Sequence, residues 1–263
     1  MERIKQALER ARKQRDVVES APISSDRTVT APPSAVQSVA YTNTRVVPSA
    51  PGLLRKNKII ANCVDETTIT AYNMLRTQVL QRLSEHGWNS LAIISANHGE
   101  GRTLTAINLA ISMAREVDKT VLLVDLDLRR PGIANYFGFT PEYGVVDYML
   151  NDIPLKEMLF NPGIERLVVL PGNCAVSNSA ELLSSKKMLQ LVEELKQRYP
   201  SRIVIFDLPP LLSAADALAF APHVEAALLV IADGQTTKSD ITDTLAMLEI
   251  TNVVGTVLNR KMA

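Results

Sequence analysis

The sequence predicts an α/β fold in which a mainly parallel central sheet carries helices on both faces, and three patterns support that expectation. Six short apolar runs, SLAIISA (90–96), TVLLVDLD (120–127), RLVVLPG (166–172), RIVIFDLP (202–209), AALLVIAD (226–233) and VVGTVLN (253–259), lack the alternation of a strand with one wet face. Unbroken apolar runs are what strands need when both faces are buried. Amphipathic stretches at 103–116, 142–150, 179–198, 213–221 and 237–249 separate these runs. Such crossovers return the chain across the sheet, so neighbouring strands run parallel. Finally, a glycine-bearing turn and two sets of aspartates sit where apolar runs end, at the edge where open α/β sheets bind ligands.

The elements follow in order along the 263 residues. Residues 1–18 read as a basic helix, with Ile4, Ala7, Leu8 and Ala11 on one thin apolar stripe. Residues 19–55 read as a disordered linker: Pro22, Pro32, Pro33, Pro48 and Pro51 punctuate a Ser/Thr/Ala/Val stretch that buries too little to offset its ordering entropy. Residues 56–263 form the expected α/β domain. It opens with a helix over about residues 65–85, where Ile69, Tyr72, Leu75, Val79 and Leu83 recur at helical spacing.

Composition narrows the function. Basic and acidic residues balance at 28 each, so no global field draws nucleic acid. Cys63 and Cys174 are isolated and lack metal or redox spacing. No apolar run approaches the ~20 residues of a transmembrane helix, and the start lacks the apolar core of a secretory signal. The expectation is a cytoplasmic protein, peripheral at the inner membrane through a partner, with a membrane-surface role for the basic helix 1–18 as the alternative.

The segment SLAIISANHGEGRTLTAINLAISMA (90–114) runs strand, glycine turn, helix. That order suits a P-loop: Gly99 and Gly101 let backbone N–H groups approach phosphate, and the helix N-terminus adds unsatisfied donors and positive potential. Thr103 stands where a hydroxyl can join a Mg²⁺ shell. Two positions depart from G-x-x-x-x-G-K-[ST], with Ala96 at the first glycine and Arg102 at the lysine. In VLLVDLDLRRP (121–131), the period of two places Asp125 and Asp127 on one side of a strand end. Two carboxylates there make sense where a metal offsets their repulsion. In RIVIFDLPP (202–210), Asp207 ends another apolar run, as the magnesium-side aspartate of P-loop proteins does.

Together with AYNMLRTQV (71–79), GVVDYML (144–150), VLPGN (169–173), SAELLSS (179–185) and GTVLNR (255–260), these motifs resemble the bacterial tyrosine-kinase family of capsular and exopolysaccharide export systems. Within it the likeness is to soluble kinase-like proteins encoded with exosortase-associated systems. The resemblance implies ATP or ADP with Mg²⁺ as cofactors and phosphate contacts from Gly99, Glu100, Gly101, Arg102, Thr103 and Leu104. It implies Thr103, Asp127 and Asp207 around the metal and Asp125 as the group that orients or deprotonates a tyrosine hydroxyl, with Arg102 and Asp127 beside it in catalysis. Asn259 is similar to an adenine-contacting asparagine, though a turn-forming role fits the same position. The implied partner is the cytoplasmic part of an inner-membrane chain-length, or co-polymerase, protein, and a homo-oligomer is open.

Three features depart from that family pattern. Arginine 102 keeps the charge but presents a larger, planar head. No tyrosine follows Tyr199, so the usual C-terminal acceptor cluster is missing and Tyr41 is the candidate local acceptor. The ring-forming helix, commonly E-x-x-R-x-x-R, reads Thr70, Asn73, Arg76. These departures set a nucleotide-switched regulatory module beside the kinase reading. A partitioning ATPase fits less well, because Asn97 and His98 stand where such proteins carry an extra lysine.

Overall fold

The computed structural model describes residues 44–63, 65–198, 201–213 and 215–260. The expected helix at 1–18, Tyr41 and Tyr199 lie outside them.

One eight-stranded sheet forms the centre, in the order β1-β4-β5-β3-β6-β2-β7-β8. Its strands are β1 (Arg45–Val46), β2 (Ser90–Ser95), β3 (Thr120–Asp125), β4 (Phe160–Asn161), β5 (Leu167–Leu170), β6 (Arg202–Asp207), β7 (Ala226–Ala232) and β8 (Asn252–Asn259). All six predicted runs are strands. All pairings are parallel except β4 with β5. The sheet is therefore mainly parallel, as its apolar runs predict.

The side-chain period of a strand divides the core in two. Ala92, Ile94, Leu122, Val124, Val204, Phe206 and Leu229 face one layer, which contains α5 (Val145–Asn151), α7 (Lys186–Gln197) and α8 (Ala215–Phe220). Leu91, Ile93, Val121, Leu123, Ile205 and Leu228 face the other, which contains α2 (Glu66–His86) and α3 (Arg102–Ala114). Each fully buried aliphatic side chain contributes on the order of 1.5–3 kcal/mol, so neither face can be left uncovered. Helix α2 starts where Asp65 accepts from the amides of Thr67 and Thr68, and ends at Gly87 in the left-handed region. Arg82 ties α2 to the edge of the sheet by donating to the Val254 carbonyl.

Two boundaries differ from expectation. The stretch 19–55, read as linker, contains at its described end β1 and most of α1 (Pro51–Lys56). Its few apolar groups do find burial: Leu54 enters the core with Ile59 and Ile60, and β1 pairs with β4. The amphipathic stretch 179–198 is two helices, α6 (Ser179–Leu183) and α7, because the Ser185 hydroxyl caps a new start by accepting from Met188 N. The remaining helices are α4 (Ile133–Tyr136) and α9 (Lys238–Met247). Among the described residues, no helix is long and apolar enough to cross a membrane.

Candidate nucleotide-binding site

The site is built where β2, β3 and β6 end side by side. After Ser95 the chain turns through residues 96–101 and enters α3 at Arg102. Gly99 and Gly101 have φ of 80° and 87°, values that side-chain-bearing residues rarely adopt. At Gly101 a side chain would also displace Asn259, since a Cβ would lie 2.0 Å from its amide nitrogen. That amide donates to the Glu100 carbonyl at 2.9 Å, so Asn259 braces the loop from the end of β8. Glu100 is buried and braces it from within: one carboxylate oxygen accepts from Asn97 N, the other from the Thr236 hydroxyl at 2.6 Å. Its side chain shapes the cradle, which leaves its backbone to face phosphate. Thr103 and Leu104, in the first turn of α3, are half-buried.

The aspartates converge from two neighbouring strands. Asp125 and Asp207 are register partners across β3 and β6. Strand β3 ends at Asp125, so Asp127 lies in the following loop, where its Oδ1 accepts from Arg130 N at 3.1 Å. The Oδ2 of Asp125 accepts from the amides of Gly132 and Ile133 at 2.9 and 3.0 Å and thereby anchors the start of α4. Its Oδ1 is buried without a hydrogen-bond partner. Burial, with the charge of Asp207 adding to it, pushes the Asp125 carboxyl up to about 8. Burial also raises Asp207, against the lowering effect of Arg102.

Arg102 links these groups. Its side chain is only 7% exposed. Nη2 donates to Asp127 Oδ2 at 2.8 Å, Nε to Asp207 Oδ1 at 3.1 Å and Nη1 to the Ser95 hydroxyl at 3.0 Å. The sequence places a cation between Asp125 and Asp127; in this structure the guanidinium instead bridges Asp127 and Asp207, and Asp125 has no cationic partner among the described residues. Among the described residues no group of three acidic, His or Cys side chains is arranged to hold a metal by itself. Magnesium, however, is ordinarily held by one or two carboxylates together with substrate phosphates and waters. The hydroxyl of Thr103, beside Asp207, with Asp127 and Asp207, suits that chemistry once Arg102 yields.

A cavity of about 250 Å³ lies over the loop. It is lined by His98, residues 99–104 and Asp127, and also by Arg130, Tyr136 and Arg260. The last three went unnoticed in the sequence; Arg130 and Arg260 adjoin recognised motifs, whereas nothing in sequence pointed to Tyr136. Burial and the charge of Asp207 raise the Tyr136 phenol, keeping it protonated. Arg129, next to Arg130, turns away and grips the buried Asp216 through two hydrogen bonds of 3.1 Å. A second cavity, about 530 Å³, adjoins the first at Leu104 and includes Asn259, Tyr72, Thr68, Arg55 and Lys58.

A parallel sheet, a glycine loop opening a helix and aspartates at adjacent strand ends define a P-loop nucleotide-binding protein. Comparison with known proteins agrees: the AAA domain family model matches residues 89–253. The tyrosine-protein kinase YwqD of Bacillus subtilis is 33% identical over 192 residues, 72% of this chain and 80% of that protein. The tyrosine-protein kinase CpsD of Streptococcus pneumoniae serotype 4 is 32% identical over 72% of this chain and 82% of that protein. The Escherichia coli K12 tyrosine-protein kinase etk is 30% identical over 74% of this chain, which spans only 27% of that longer protein. The solved kinase domain of Escherichia coli ETK superposes with a TM-score of 0.71 at 28% identity, over 83% of this chain and 89% of that domain. The cell division ATPase MinD of Pyrococcus furiosus shares the fold alone, at 20% identity and a TM-score of 0.55. The chain belongs to the bacterial tyrosine-protein kinase family.

Proposed function

We propose that this protein is an ATP-dependent protein-tyrosine kinase that regulates exopolysaccharide polymerisation or export with the cytoplasmic part of an inner-membrane chain-length protein. The supporting observation is the convergence of the P-loop with Asp125, Asp127 and Asp207 in a chain of tyrosine-kinase ancestry. The loop from Gly99 to Leu104 would hold the nucleotide phosphates on backbone N–H groups, and Thr103, Asp127 and Asp207 would hold magnesium. The bound ion would neutralise charge on the transferring phosphoryl group and the leaving oxygen. In the transfer, the tyrosine oxygen bonds to the γ-phosphorus, the bond from that phosphorus to ADP breaks, and the phenolic proton passes to a base. Asp125 is the candidate base through its unpartnered Oδ1. It must first be ionised, which its raised pKa opposes below about pH 8.

Arg102 slows this chemistry. Its guanidinium occupies the two carboxylates that would serve the metal and offsets one of their two charges, and it must leave them to reach a γ-phosphate. The same contact favours a second reading, a nucleotide-switched regulator that binds ATP and turns over little. Purified protein with radiolabelled Mg-ATP, with and without the cytoplasmic part of the membrane partner, separates the two. Label on tyrosine supports the kinase; hydrolysis without transfer supports the switch. Arg102→Lys is expected to raise turnover, and unchanged turnover would refute the role given to the arginine. Arg76, the retained basic residue of the ring-forming helix, folds back onto α3 and pairs with Glu116 at 3.0 Å, so it is spent within the subunit.

A further inference from the structure

Three donors of Arg102 bond Asp127, which lines the cavity, and Asp207 and the Ser95 hydroxyl, which are buried behind it. A lysine offers a point charge; the planar fork of arginine bridges both carboxylates and the hydroxyl at once. We propose that the Arg102 guanidinium is the resident counter-cation of this site, so that the loop holds nucleotide phosphates without a divalent ion. The inference rests on the nucleotide-binding part of the reading above and does not need phosphoryl transfer.

Two layers of charge support it. In the floor, Arg102 meets two buried carboxylates, and the remaining oxygen of Asp127 already accepts from Arg130 N. Asp127 thus has both oxygens hydrogen-bonded by the chain itself, and the guanidinium offsets one of the two carboxylate charges. At the rim, Arg130 and Arg260 line the same cavity as the loop. They supply positive charge toward phosphate, beside the N-terminus of the thirteen-residue α3. In a loop with the usual lysine, a compact ammonium could not bridge both carboxylates and the hydroxyl at once, and a metal would be needed for affinity as well as chemistry. Here the repulsion between carboxylates and phosphates is reduced by the bridging guanidinium. The requirement for metal is moved from nucleotide affinity to turnover, where Arg102 has to give up the carboxylates.

The test is calorimetric titration of the full chain with ATP, in millimolar magnesium and in EDTA. Dissociation constants within about threefold of one another are expected, and a weakening of about tenfold or more in EDTA overturns the inference. No binding in either condition also overturns it. Arg102→Met removes the charge at similar length and should weaken ATP binding about tenfold more in EDTA than in magnesium. Equal losses in the two conditions count against the proposal. Thermal unfolding without nucleotide adds a second readout: magnesium alone should leave the parent protein unchanged and stabilise Arg102→Met, whose freed carboxylates recruit the ion. An equal response of both proteins overturns it. Should Arg102→Met not fold, Arg102→Lys carries the same comparisons, since lysine cannot bridge both carboxylates and the hydroxyl. Label transfer to a Glu/Tyr copolymer, measured in parallel, keeps the two readings apart. Tyrosine label with strictly metal-dependent affinity sinks this inference alone; metal-free affinity without tyrosine label upholds it and sinks the kinase.

Discussion

Replacing Asp125 with asparagine should stabilise the nucleotide-free protein, and increasingly so as pH rises. The carboxyl is buried, one oxygen has no partner, and its pKa stands at about 8 against an ordinary 3.8. Below about pH 4 the group is protonated folded and unfolded alike, and it adds no pH dependence. Between about 4 and 8 the native protein keeps the proton and the unfolded chain releases it. The stability that this retained proton represents is therefore fully present at low pH and is lost as pH climbs through the folded pKa. Each pH unit is worth about 1.36 kcal/mol, so the interval from 3.8 to about 8 corresponds to a gross penalty of ~5–6 kcal/mol under alkaline conditions. Relaxation around an ionised carboxylate reduces this, and a gain of about 2–3 kcal/mol for Asp125→Asn near pH 9 is expected. The asparagine carbonyl can still accept from Gly132 and Ile133, and its NH₂ takes the place of the unpartnered oxygen near the charge of Asp207. Urea unfolding of both proteins at about pH 5, 7 and 9 measures the difference. A difference that does not grow with pH would mean that Asp125 is ionised throughout, and the burial argument would fail.

Other perturbations probe the parts separately. With Asp125 as base, tyrosine transfer should rise between pH 6 and about 8 as the carboxyl loses its proton; a flat pH–rate profile would remove Asp125 from that role. Gly101→Ala places a methyl 2.0 Å from the Asn259 amide nitrogen at a φ of 87°, and should abolish nucleotide binding in a titration while costing ~1–3 kcal/mol of stability. Asn259→Ala releases the Glu100 carbonyl and should weaken nucleotide affinity about threefold to tenfold, about 1 kcal/mol for a lost hydrogen bond. Arg129→Ala leaves fully buried Asp216 without its bidentate partner, which should cost about 3 kcal/mol in chemical denaturation without changing nucleotide affinity.

The main sheet was legible because burial on both faces leaves an unmistakable apolar run, and crossover helices leave an amphipathic one. Strands β1 and β4 were not, since two residues carry no periodicity and pair only because tertiary structure brings Arg45–Val46 beside Phe160–Asn161. The break in 179–198 hinged on Ser185 acting as an N-cap, a choice that a surface serine does not announce. In the site, Gly99, Gly101, Asp125 and Asp207 could be read from sequence because each sits where a strand ends. What each side chain does there depends on partners far along the chain. Arg102 meets Asp207 after 105 residues, and Glu100 meets Asn259 after 159. Asn259 reads as a base contact by resemblance, but in this structure its amide is committed to the loop. Tyr136 reaches the cavity only because Asp125 anchors the helix that carries it.

That long-range pairing explains how one side chain can separate scaffold from chemistry. A site with three buried aspartates must reduce their charge or lose stability. This protein uses two devices, a carboxyl held protonated at Asp125 and a guanidinium clamped between Asp127 and Asp207. Both stabilise the empty site, and both oppose the ionised, metal-ready arrangement that phosphoryl transfer needs. The same residues therefore favour a folded, nucleotide-accepting cradle and raise the barrier to catalysis. Nucleotide affinity and turnover should respond in opposite directions to Arg102→Lys: a free ammonium restores a phosphate-reaching charge, while the carboxylates lose the fork that quiets them. If affinity in EDTA and turnover in magnesium instead fell together, the guanidinium would be serving phosphate directly, and the division between floor and rim would be wrong.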